Sequence, residues 1–207
     1  MEDKLLSSWR RAPGAWIAAL AALVLVAAAC RGGGGPAQAR ADEAVAGPPR
    51  VGQIAPDFTL ERLDGGVLAL RELRGRVVLV NFWATWCGPC KVEMPIIQQV
   101  YNEYRARGFE VVGVDFGEPR EDAADFVQRG GFSWPFVLDS DQAIAKRYNV
   151  LGLPSSFFLD RQGIVRRIHV GPFVTVAQLK QQVDGLLSPP SAATTGAGQG
   201  LSVAARP

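Results

Sequence analysis

The sequence predicts an α/β domain, a central mixed sheet covered by helices on both faces. Three observations carry that expectation. Arg76–Trp83 and Phe109–Phe116 are near-continuous apolar runs rich in β-branched residues, the pattern of strands buried on both faces. Segments of helical period follow each of them. A turn-rich pair of short strands stands before this block and another after it, so helices and strands alternate instead of separating.

The elements follow in order along the chain. Asp57–Leu60 and Val67–Leu70 flank Asp64-Gly65-Gly66, a hairpin signal. Arg76–Trp83 is the first buried strand. Over Lys91–Arg107, Met94, Ile97, Val100, Tyr101 and Tyr104 share one helical face, Pro95 introduces a kink, and Gly108 ends the helix. Phe109–Phe116 is the second buried strand. Glu118–Arg129 is a helix entered through Pro119 with acidic residues in its first turn. Pro135–Leu138 is short and extended, and Asp141–Tyr148 is a helix with Asp141 at its cap. Ser155–Asp160 and Ile164–Val170 pair across Arg161-Gln162-Gly163, and Thr175–Leu187 closes the domain as a helix.

This folding part, residues 51–187, is framed by segments of another composition. Lys4, Arg10 and Arg11 precede 19 uncharged residues from Ala12 to Cys30, long enough to span a bilayer at ~1.5 Å per residue. Residues 1–30 therefore read as a signal or membrane anchor, and three forms stay open. They are an uncleaved anchor with its positive end inside, a lipoprotein signal ending at Ala28-Ala29-Cys30, and a cleaved signal peptide. Cys30 is correspondingly either a small apolar residue of the run or a lipid attachment point. Every form sends the domain out of the cytoplasm. Residues 31–50, with four consecutive glycines and Pro48-Pro49, have linker composition. Residues 188–207 have the Ser/Pro/Ala/Gly/Thr composition of a disordered tail.

The 48% apolar content suffices for a packed core. Sixteen basic and sixteen acidic residues cancel between Arg50 and Leu187, which argues against a nucleic-acid partner or any polyphosphate. Three cysteines are too few for a disulfide scaffold, and one close pair plus an outlier reads as redox chemistry.

That pair lies in Phe82-Trp83-Ala84-Thr85-Trp86-Cys87-Gly88-Pro89-Cys90-Lys91, where a buried strand gives way to a helix. Gly88-Pro89 supplies the turn that lets two cysteines three apart close a ring. A Cys87 sulfur at a helix N-terminus meets free amide groups and the macrodipole, which favour thiolate. Such a thiolate attacks disulfides, and Cys90, one turn deeper, resolves the mixed disulfide. Zinc would need two further ligands, and the chain offers one histidine and one remote cysteine, so neither metal nor cofactor is expected. That histidine, His169, reads as an exposed strand residue.

Trp86-Cys87-Gly88-Pro89-Cys90 after a buried strand resembles thioredoxin. Across Val51–Leu187 the chain resembles the membrane-anchored TlpA/ResA branch of that superfamily, with its redoxin (AhpC/TSA-like) relatives. The resemblance rests on Gly52-Gln53-Ile54-Ala55-Pro56-Asp57-Phe58, Asn81-Phe82-Trp83-Ala84-Thr85-Trp86, Cys90-Lys91-Val92-Glu93-Met94-Pro95 and Gly152-Leu153-Pro154-Ser155-Ser156-Phe157-Phe158-Leu159-Asp160. It implies a thioredoxin fold with an added N-terminal β-hairpin and an insertion after the second core strand. Cys87 becomes the exposed nucleophile and Cys90 the resolving thiol. Pro154 matches a cis-proline that presents the backbone of Leu153 to a peptide by strand addition. Thioredoxin carries a buried Asp where this chain has Asn81, so that proton acceptor is absent. Glu93, three residues after Cys90, stands where the branch has an acid, to be weighed against a solvated helix carboxylate. Trp86 shields the dithiol and touches substrate, whereas Trp83 belongs to the core.

The resemblance thus implies a reductase of protein disulfides in exported proteins. Apocytochrome c is the expected substrate and a membrane thiol transporter the electron donor. Two other classes remain. A thiol peroxidase shares the fold but needs a Pro-x-x-x-Thr/Ser cysteine, where this chain has a dithiol. A non-catalytic binding module has no need of both cysteines.

Overall fold

The computed structural model describes residues 47–188. Strand β1 (Thr59–Arg62) turns back on β2 (Val67–Ala69) through Gly65 and Gly66, at φ 101° and 74°. A side chain at either would be strained there, which is why the turn falls on the glycine pair. A 3-10 turn at Leu70–Leu73 leads to β3 (Val77–Trp83), whose seven residues are all buried. Helix α1 (Gly88–Tyr104) continues through Pro95, tightens into a 3-10 turn at Arg105–Arg107 and stops at Gly108 with φ 89°. Then come β4 (Phe109–Asp115), α2 (Arg120–Gly130), β5 (Phe136–Leu138), α3 (Ala143–Arg147), β6 (Ser155–Leu159), β7 (Val165–Val170) and α4 (Val176–Leu187).

Among the described residues, seven strands form one mixed sheet in the order β2-β1-β5-β4-β3-β6-β7. The central β3 pairs parallel with β4 and antiparallel with β6. The segment α2–β5 after the second core strand extends the sheet, β5 bridging parallel β4 and antiparallel β1. This ties the N-terminal hairpin to the core.

Alternation along β3 sorts the interior into two layers. Val77, Leu79 and Trp83 face α1 and α4 with Met94, Ile97, Val100, Phe158, Leu179 and Val183. Val78, Val80 and Phe82 face the other way, onto Phe58, Val112, Ile144, Tyr148 and Phe157. Asn81 keeps step with Leu79 and Trp83, so a polar side chain enters the α1 layer.

Two local expectations are corrected. The third helix starts at Ala143, not Asp141, and the Asp141 side chain accepts from the Ala143 N–H at 3.0 Å. The buried Asp139 takes the next two amides, from Ile144 at 3.0 Å and Ala145 at 2.7 Å. Its position at the end of β5 lets one carboxylate satisfy two free donors of the helix end. His169 is half-buried instead of exposed, because its ring stacks on Phe173 at 4.5 Å between centroids.

Candidate functional site

The site is built where β3 runs into α1. The turn Ala84–Cys87 is closed by the Cys87 N–H donating to the Ala84 carbonyl at 3.2 Å. Cys87 is the N-cap of α1, with extended backbone (φ −78°, ψ 102°), and its Sγ accepts from the Cys90 N–H at 3.2 Å. Pro89, in the first helical turn, lacks only an N–H that the helix would have left unpaired. The cysteines are joined in a disulfide across a Cα–Cα distance of 5.3 Å, within the ordinary range. Among the described residues no cluster of His, Cys, Asp or Glu could hold a metal ion.

Cys87 is the more accessible residue of the pair, though only 4% of it is exposed, against none of Cys90. Cys87, expected as an exposed nucleophile, is therefore recessed in the disulfide state, next in the chain to Trp86, which is 64% exposed. Trp83 lies fully inside the core, stacked on Phe126 and edge-on to Phe136.

Glu93 is completely buried, not a solvated helix carboxylate. It faces β3 from the second turn of α1, one turn beyond Cys90. Its Oε1 accepts from Asn81 Nδ2 at 2.7 Å, and its Oε2 accepts from the Phe173 N–H at 3.1 Å. Asn81 is held in turn by donating to Ser156 Oγ at 3.0 Å. Burial pushes the Glu93 carboxyl up to about 7, against the two hydrogen bonds that pull it down. A carboxyl balanced there can both take and return a proton near neutral pH.

The Leu153–Pro154 bond is cis. Register explains its place: Ser155 pairs with Phe82, so Pro154 stands at the end of β3 that enters the cysteine motif. Pro154 is buried and its carbonyl accepts from the Gly171 N–H at 2.9 Å. Leu153 is half-buried, and among the described residues its backbone N–H and carbonyl make no hydrogen bond.

The fold thus brings together Cys87, Cys90 and Glu93 on α1, Trp86 on the preceding turn, and Leu153-Pro154 at the neighbouring strand end. Ser156 and the Phe173 amide, which complete the Glu93 cradle, were not singled out from sequence. The one available signal was Asn81 itself, a polar residue inside an apolar strand. Also unforeseen is a carboxyl pair, Asp115 and Glu118, beside the same turn: Glu118 accepts from both the N–H and the hydroxyl of Thr85.

A model of the AhpC/TSA family matches residues 51–168. The thiol-disulfide oxidoreductase ResA of Geobacillus thermodenitrificans is 38% identical over 136 residues, covering 66% of this chain and 78% of that protein. Among solved structures, a thiol:disulfide interchange protein of the thioredoxin family from Chlorobium tepidum superposes with a TM-score of 0.61 at 30% identity. It covers 67% of this chain and 98% of its own. StoA from Bacillus subtilis superposes with a TM-score of 0.54 at 28% identity, covering 60% and 94%. With its mixed sheet, its dithiol at a helix N-terminus and these relatives, the chain belongs to the AhpC/TSA family, as a ResA-like member of the thioredoxin superfamily.

Proposed function

We propose that this chain is an extracytoplasmic thiol–disulfide oxidoreductase that reduces disulfides in exported proteins, working through Cys87, Cys90 and Glu93. The observation that carries the reading is a disulfide at the N-terminus of α1 with a buried carboxyl one turn further along the same helix.

In the reduced enzyme, the Cys87 thiolate attacks one sulfur of a substrate disulfide, and the other substrate sulfur leaves as a thiolate. Cys90 gives its proton to Glu93 and attacks the Cys87 sulfur, releasing the second substrate thiolate. Two electrons have then passed to the substrate, and the enzyme holds the Cys87–Cys90 disulfide. An external dithiol restores it by the reverse sequence. The Gly88-Pro89 dipeptide suits a reducing potential, with ~−270 mV as the anchor. Glu93 is suited to the proton step because burial holds its carboxyl near 7. The unpaired backbone of Leu153 beside Pro154 suits strand addition by an extended substrate segment, with Trp86 covering the sulfurs.

The relatives named ResA support disulfide exchange. Apocytochrome c as substrate and a membrane thiol transporter as donor remain part of the proposal. So does the arrangement of residues 1–30 as a signal or anchor, 31–50 as linker, 51–187 as the working domain and 188–207 as tail. Residues 1–46 and 189–207 lie outside the described residues, and among the described residues no helix is long and apolar enough to cross a membrane. The full chain should reduce insulin with multiple turnover when supplied with a small dithiol. Absence of turnover by reduced protein would remove the enzymatic reading.

A further inference from the structure

The second carboxyl pair sits against the turn that carries the dithiol. Trp83 and Asp115 are the last residues of β3 and β4 and stand opposite each other in register. The two segments that leave them are joined at Trp83 and again at Thr85. The Phe116 N–H donates to the Trp83 carbonyl at 3.0 Å. The Glu118 N–H donates to Asp115 Oδ2 at 2.8 Å. Glu118 Oε2 then accepts from the Thr85 N–H at 2.6 Å, and Oε1 accepts from the Thr85 hydroxyl at 2.5 Å. Thr85 is the second residue of the Ala84–Cys87 turn, and Trp86, the third, projects into solvent.

Apart from Glu118, the hydrogen bond that closes the turn among the described residues is the Cys87–Ala84 backbone bond. Two hydrogen bonds donated by one residue to one carboxyl fix both its position and its rotation, as a single contact would not. Asp115 has no exposed surface, and its Oδ1 has no hydrogen-bond partner. Burial, and then the neighbouring Glu118 carboxyl, push this carboxyl above its ordinary range. A buried polar group of this kind, without a full set of partners, costs stability. Its Oδ2 holds the Glu118 amide, and the two carboxyls also interact directly.

We propose that Glu118, oriented by Asp115, is a positioning residue for disulfide exchange. It pins Thr85 so that Trp86 and Cys87 meet a polypeptide disulfide in one fixed arrangement. The inference rests on the exchange reading of Cys87 and Cys90. It adds that recognition of a chain-like substrate depends on a residue that touches neither substrate nor sulfur. The thiolate character of Cys87 comes from the end of α1, which Glu118 does not contact. Releasing Thr85 therefore weakens presentation to a large partner and leaves reaction with a small, unhindered reagent as it was.

Two reactions of the reduced full-length protein separate these effects. One is mixed-disulfide formation with an oxidised peptide; the other is alkylation of Cys87 by iodoacetamide across pH, with the labelled peptide identified by mass. Glu118→Ala slows the peptide reaction roughly 10-fold, as loss of a charge-assisted hydrogen bond implies. The slowing appears in the apparent KM, and the alkylation profile stays in place. Glu118→Gln recovers most of the rate, since its oxygen accepts from the Thr85 N–H and its amide donates to the hydroxyl. Thr85→Val slows the peptide reaction alone by a smaller factor, and it decides the question if Glu118→Ala does not fold. Equal peptide rates in wild type and Glu118→Ala, or parallel slowing of both reactions, overturn the proposal. Wild-type protein inert toward the peptide overturns the exchange reading, and the positioning role with it.

Discussion

The side-chain amide of Asn81 donates a 2.7 Å hydrogen bond to the Glu93 carboxyl inside the α1 layer of the core. This contact lowers a carboxyl that burial raises, so Asn81 tunes the acid without being able to take the proton itself. Asn81→Ala should therefore move Glu93 above about 7 and carry the pH dependence of exchange upward with it. Glu93→Gln should slow resolution by roughly 10²-fold where proton transfer limits the rate. The check is the rate with an oxidised peptide from pH 5 to 10 for wild type and both variants. Superimposable profiles would leave the deprotonation of Cys90 to water.

The two cysteines are expected to fail differently. Cys87→Ser abolishes turnover, because Cys90 is wholly inside the protein and has no access to a substrate disulfide. Cys90→Ser still attacks but has no resolving thiol, so a mixed disulfide with the substrate accumulates. Non-reducing electrophoresis with mass identification of the adduct reads both outcomes. Multiple turnover by Cys87→Ser would exchange or abolish the assigned roles.

Much of this is legible along the chain, because it depends on local pattern. The apolar run ending at Trp83, the glycine pair at Gly65-Gly66 and the Cys87–Cys90 spacing each report structure within a few residues. The carboxyl Glu93 was visible as a spacing, but its burial was not, since that depends on Asn81, Ser156 and the Phe173 amide arriving from three other parts of the chain. Sequence proximity points to Asp141 as the cap of the third helix, whereas Asp139 supplies two of the acceptors. The chain's reversal at Gln142, with φ 57°, brings the farther one onto the free amides. Thr85 and Glu118, thirty-three residues apart, meet only because β3 and β4 end in register.

The 19 uncharged residues from Ala12 to Cys30 predict that full-length protein sediments with membranes and that its domain is open to protease from outside intact cells. Cys30→Ala separates the forms. A spanning anchor keeps the variant in the membrane, whereas a lipid thioether is lost with the sulfur and the protein is released. A wild-type protein found in the soluble fraction would favour a cleaved signal.

Glu93 also makes stability depend on pH, and the sign follows from linkage. In the unfolded chain its carboxyl titrates near 4.5, and in the folded protein near 7. Between those values the native state holds a proton that the unfolded state has lost, so stability falls as pH rises. The slope approaches 1.4 kcal/mol per pH unit, giving a loss on the order of 3 kcal/mol by pH 8. Asp115, raised in the same direction by burial, adds a decline of the same sign, so the wild-type curve alone does not isolate Glu93. The difference between wild type and Glu93→Gln does, because Asp115 is common to both. Whatever the Gln side chain costs in packing is a constant offset, while the Glu93 contribution grows with pH. Urea unfolding of the disulfide form at pH 5, 6, 7 and 8 should therefore show Glu93→Gln gaining on wild type with each step. Parallel stability curves would mean that Glu93 keeps an ordinary carboxylate affinity despite its burial, and its role in the proton step would fall with that result.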